Sequence, residues 1–192
     1  MRNILWLSML NLFLFLAVQS VEAVQVNLTE KEVREAVDYG ERYSRTIFSS
    51  VVVDPACFGP WPAINGGLVR SKFIDLAVKA AMRKAQRQKI TEEDIREVVD
   101  SGALRVMVRT RRDATISLKQ GEKIIEPQDV SYKDPCCELC ELFDEKADKK
   151  NHEFITASFP YSEFNPSRVV TVIVKDADGD TQEYRMSLSK IK

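Results

Sequence analysis

Near Gly102 the spacing of apolar residues changes from about 3.6 to 2, so this chain must build helices first and strands afterwards. Upstream, Thr29-Glu30-Lys31-Glu32 forms a capping box, with Thr29 capping the first turn and Glu32 reaching back. Val33, Ala36, Val37, Gly40 and Tyr43 then recur on one helical face, and Glu30, Lys31, Arg34, Asp38 and Glu41 fill the other. Residues 46–53 are β-branched and apolar, which predicts a strand or a buried helix end. Residues 54–67 read as a loop, because Pro55, Gly59, Pro60, Pro62, Gly66 and Gly67 crowd into them. A second helix is expected over 68–88, with Val69, Phe73, Leu76, Ala77, Ala80 and Ala81 as its stripe. Lys72, Lys79, Arg83 and Arg87 would then face solvent. A third helix over 92–100 takes Thr91 as N-cap, has Glu92, Glu93 and Asp94 at its positive end, and stops at Gly102.

Downstream, Leu104 to Arg109 alternates strictly and Thr115 to Leu118 more briefly, with a turn at Gln120-Gly121-Glu122 leading into Ile124-Ile125. Residues 138–150 are charged and read as an exposed excursion, and 154–159 resume extended structure. Residues 168–175 are continuously β-branched, which predicts a central strand buried on both faces. Asp176 to Asp180 makes the turn, and Tyr184, Met186 and Leu188 point inward on the returning strand. The expected class is α+β, with two to three N-terminal helices packed on a C-terminal antiparallel sheet or small β-sandwich and tied by disulfides. The regions are 1–23, a leader; 24–102, mainly helical; and 103–192, antiparallel β ending in a hairpin over 168–189.

The leader reading rests on Arg2, the apolar run Ile4 to Val18, and small residues up to Ala23. That is a secretory signal cleaved near Ala23, too short for a membrane span, so a secreted or periplasmic location is expected. Removal leaves 169 residues and takes Arg2 and Glu22 together, so the formal charge stays at −1. A near-neutral chain has no global field for nucleic acid, and no later segment is apolar enough to span a membrane.

Four cysteines remain, Cys57, Cys136, Cys137 and Cys140, and an even count in an exported chain favours disulfides. Bridging the neighbours Cys136 and Cys137 would strain the ring, so two pairings survive, each tying Cys57 to Cys136 or Cys137. Such a tie closes a loop of about 80 residues, worth on the order of 4 kcal/mol in the chain-entropy model. Cys137 and Cys140 also have the Cys-x-x-Cys spacing of a redox pair, although the flanking strand and charged loop are not the usual setting.

Other chemistry is thin. His152 is the one imidazole, lies beside the charged excursion, and reads as a surface residue; there is no nucleophile elbow or His-Glu-x-x-His zinc motif. Three thiolates with His152 are the right donors for zinc, but at an unfamiliar spacing, so no metal or cofactor is expected. Asp176, Asp178 and Asp180 lack the Gly and Glu positions of a calcium loop and read as a hairpin turn. Phe58 and Trp61, on the Pro/Gly-rich loop, have two readings: plugs between helices and sheet, which is favoured, or a stacking platform for a glycan or peptide. Asn27-Leu28-Thr29 is a glycosylation sequon, meaningful in a eukaryotic secretory pathway. The expected function is that of an exported, non-enzymatic structural or binding module. The rivals are a thiol–disulfide protein using Cys137 and Cys140, and a Trp61-centred binder.

Overall fold

The computed structural model describes residues 24, 26–63, 65–110, 114–132 and 153–192. Helix α1 (Glu30–Arg42) begins at the expected capping box, Thr29 and Glu32 satisfying each other's backbone N–H. Residues 46–53 are neither strand nor α-helix; they form a 3-10 turn at Ile47–Ser49 and further turns. Ser50 explains the break, since its hydroxyl donates to the Ile47 carbonyl at 2.6 Å and its N–H to the same oxygen at 3.2 Å. That local bonding competes with any ladder.

The expected 68–88 helix is two elements. Gly67–Arg70 is a strand, β2, inserted between β1 (Cys57–Phe58) and β3 (Ala103–Thr110). Ser71 then caps α2 (Lys72–Ala85), accepting from the Ile74 N–H. The apolar pair Leu68-Val69 was therefore strand material, fully buried between two neighbours. Helix α3 (Glu92–Val99) carries a second capping box, Thr91 with Asp94.

The remaining strands are β4 (Thr115–Gln120), β5 (Lys123–Ile125), β6 (Asp129–Ser131), β7 (Glu153–Pro160), β8 (Val169–Lys175) and β9 (Thr181–Ser187). They form two antiparallel sheets, ordered β1-β2-β3-β7-β6 and β5-β4-β8-β9. Sheet one thus takes two strands from the half expected to be helical. Strand β8 is central in sheet two but buried on one face: Val170, Val172 and Val174 face the core, while Val169 is 37 % exposed. Its alternate residues Val169, Thr171, Ile173 and Lys175 are partly or fully exposed, so the β-branched run signals strand propensity rather than double burial.

One buried cluster joins Ile74, Ala77, Val78 and Ala81 of α2 to Val69, Val106, Ile155 and Ala157 of sheet one and to Ile116, Leu118, Val172 and Met186 of sheet two. Both halves of the sequence contribute to it. A smaller cluster of Ala36, Phe73, Leu76 and Val98 belongs to the three helices. Helices α1 and α2 approach closely at Gly40, where an added Cβ would lie 2.0 Å from the Ala77 carbonyl oxygen. Among the described residues, no helix is long and apolar enough to cross a membrane.

Candidate functional site

The Pro/Gly-rich loop between β1 and β2 is fastened from several sides. Asn65 N–H donates to the Arg109 carbonyl at 2.7 Å, and Arg109 N–H returns to the Gly66 carbonyl at 2.9 Å. The Arg109 guanidinium donates to the Pro62 carbonyl at 2.9 Å. From sheet two, the Tyr184 hydroxyl donates to the Asn65 carbonyl at 2.8 Å. Gly66 and Gly67 permit this closeness: a Cβ on Gly66 would lie 2.3 Å from the Trp61 nitrogen, and one on Gly67 2.2 Å from the Phe58 ring. The Trp61–Pro62 bond is cis.

Two aromatics leave this loop in different directions. Phe58 is 5 % exposed and packs on Tyr184 with ring centroids 5.1 Å apart, inside the core between the sheets. Trp61 is half-buried, edge-on to Phe48 at 5.9 Å and to Phe154 at 6.1 Å. Arg109 lies over the Phe154 ring at 5.9 Å. The tip residues Gly59, Pro60, Pro62 and Ala63 are exposed beside the indole, and Val51 on a neighbouring turn is 86 % exposed. The structure therefore brings Trp61 to a rigid, partly open apolar rim and carries Phe58 away from it.

Cys57, at the base of the loop, is a free thiol that donates to the Val53 carbonyl at 3.4 Å. Burial first, then the nearby Asp54 charge, pushes its pKa up to about 12. A thiol so held is protonated and unreactive at neutral pH. Cys136, Cys137, Cys140 and His152 lie outside the described residues.

Two charge centres escaped the sequence reading. Arg70 pairs with Asp75, and Arg105 reaches the other oxygen of the same carboxylate at 3.4 Å. Arg70 and Arg105 stand opposite each other on β2 and β3, so α2 lowers Asp75 onto a pair of guanidiniums. The sequence signal was Asp75 inside the apolar run Phe73-Ile74-Asp75-Leu76. Burial, and secondarily Asp75, also raises the pKa of the Tyr161 phenol. The second centre joins α2 to α3. Arg83 grips Asp94 bidentately at 2.9 and 2.7 Å, and Lys79 reaches Asp94 at 3.5 Å and also pairs with Glu97. The Arg83 hydrogen bond, with help from Thr91, pulls the Asp94 carboxyl far below its usual range. Lys72, expected to face solvent, is buried and donates to the Val99 carbonyl. The basic stripe of α2 is thus largely a helix–helix seam. Carboxylates clamped this way make poor general bases, so both centres act as fasteners.

Asp176, Asp178 and Asp180 form an ordinary hairpin turn, in which the Asp176 carboxylate accepts from the Asp178 and Asp180 N–H groups at 3.0 Å each and Gly179 takes φ +89°. Among the described residues, no three His, Cys, Asp or Glu side chains converge in a way that could hold a metal ion. No family model matches the chain, and no curated protein or solved structure is significantly similar to it.

Proposed function

We propose that this chain is exported and acts as a non-enzymatic binding module, presenting the Trp61 rim to a glycan or a peptide. The observation carrying this reading is the half-open indole on a loop immobilised by Arg109, Tyr184, Phe48 and Phe154. An aromatic face already fixed in place loses little entropy when a sugar ring or side chain stacks on it. Quenching or shift of Trp61 fluorescence during titration with glycan and peptide panels tests the reading. Saturable change is expected in the native protein, and calorimetric titration of Trp61→Ala, which leaves the exported chain without tryptophan, should show no binding, with far-ultraviolet circular dichroism unchanged. A flat response across both panels retires the Trp61 rim as a binding surface.

Export is the second part of the proposal and rests on the 1–23 leader. Its covalent counterpart is a tie from Cys57 to Cys136 or Cys137. Partial burial pushes the half-buried Cys57 thiol up to about 12 and disfavours its thiolate, so in that bond Cys57 is the poorer attacking sulfur once the chain is folded. Non-reducing peptide mass mapping of the secreted protein checks the tie. Recovery of full-length protein from cytosol with 1–23 attached rejects export.

A further inference from the structure

We propose that Asn27 is an acceptor for an N-linked glycan, which rests on the export reading and extends it to a modification site. Six asparagines occur, and Asn27-Leu28-Thr29 alone has Ser or Thr two residues on without an intervening proline. Asn165-Pro166-Ser167 comes nearest but is blocked by Pro166, and the Asn165 backbone carbonyl and N–H are engaged by Gln120 while its side-chain oxygen accepts from the Ser167 N–H. Asn27 by contrast is exposed. It lies on the short stretch between Val24, buried with its N–H on the Pro166 carbonyl at 3.3 Å, and the start of α1. A bulky polar substituent there projects into water without displacing the core.

In the reaction, the Asn27 side-chain amide nitrogen attacks the anomeric carbon of a polyprenyl-pyrophosphate-linked oligosaccharide. The new N–C bond forms as the C–O bond to pyrophosphate breaks. The amide loses one proton, and polyprenyl pyrophosphate leaves with the bonding pair.

The timing of transfer relative to folding follows from the place of Thr29 in the α1 cap. In the folded chain the Thr29 hydroxyl donates to the Glu32 carboxylate at 2.7 Å and accepts from the Glu32 N–H at 3.3 Å. A transferase must engage that same hydroxyl, so transfer precedes closure of the α1 cap. Thr29 therefore serves twice, first as part of the acceptor and then as the cap, and the two roles separate genetically. Glu32→Ala breaks the capping box but leaves the tripeptide intact.

The test expresses the whole chain in eukaryotic secretory cells, once with its own leader and once with residues 1–23 replaced by a leader of proven function. Mobility is compared before and after peptide-N-glycosidase, and residue 27 is checked by mass for amide-to-acid conversion. The expected result is an enzyme-sensitive shift in wild type and in Glu32→Ala, lost in Asn27→Gln and in Thr29→Ala. Secretion under either leader without the shift overturns the glycan and leaves export standing. A shift surviving in Asn27→Gln overturns the assignment to this residue. A shift seen with the replacement leader alone, the native leader leaving the chain in cytosol, overturns export and with it the modification in the natural protein.

Discussion

Asp94 carries three duties within a few ångströms: it closes the α3 capping box, receives both prongs of Arg83 and faces Lys79. Its folded pKa lies below the unfolded value of about 3.9, so its stabilisation is complete above that pH and fades as pH falls through the folded value. Asp94→Asn should cost about 2 kcal/mol at pH 7, and the gap to wild type should narrow below about pH 4. Urea midpoints at pH 7, 4 and 3 measure it, and a gap independent of pH would mean the carboxylate charge is idle. Cys57 has the opposite sign. Its raised pKa favours the neutral thiol, so the contribution is present at neutral pH and lost as pH rises toward about 12. In reduced, folded protein at pH 8, alkylation of Cys57 should be roughly a thousandfold slower than in urea-unfolded chain.

Among elements, one tight joint is the crossing of α1 and α2 at Gly40. Gly40→Ala should cost about 3 kcal/mol, because the new methyl meets Ala77 backbone that cannot swing away. Denaturant midpoints read this directly, and a loss under about 0.5 kcal/mol would show that the helices slide apart freely. The capped helices α1 and α3 were legible because their signals are local: a Thr, and an acid three residues on. The β8–β9 hairpin was legible for the same reason, through Asp176 to Gly179. Strand β2 was not. Val69 falls in phase with the stripe of α2, and Ser71 alone marks the seam where strand becomes helix. Nor was β1, whose two residues are too few to show a period. The Trp61 loop announced itself by its prolines and glycines, whereas its supports Arg109, Phe154 and Tyr184 are distant in sequence and meet it through the strands, and Phe48 meets it from a 3-10 turn.

At the scale of the whole molecule, the far end of the sequence closes on the helical half. The Lys192 carbonyl accepts from the Ser71 hydroxyl, and its ammonium lies 4.5 Å from the Phe73 ring centroid and 3.2 Å from the Glu35 carboxylate. Leu188 and Ile191 are buried in the shared cluster. Leu188→Ala should therefore cost about 2–5 kcal/mol, and it should lower protection from hydrogen exchange in α2 as well as in β9. Protection lost in β9 alone would show that the halves unfold separately. Ser71 and Phe73, already engaged with Ile74 and with Ala36, Leu76 and Val98, thus gain a further partner from a residue more than a hundred positions later in the chain. A variant truncated before Leu188 loses these contacts together with two buried side chains, so it should be cleaved faster by proteases than the chain that keeps them.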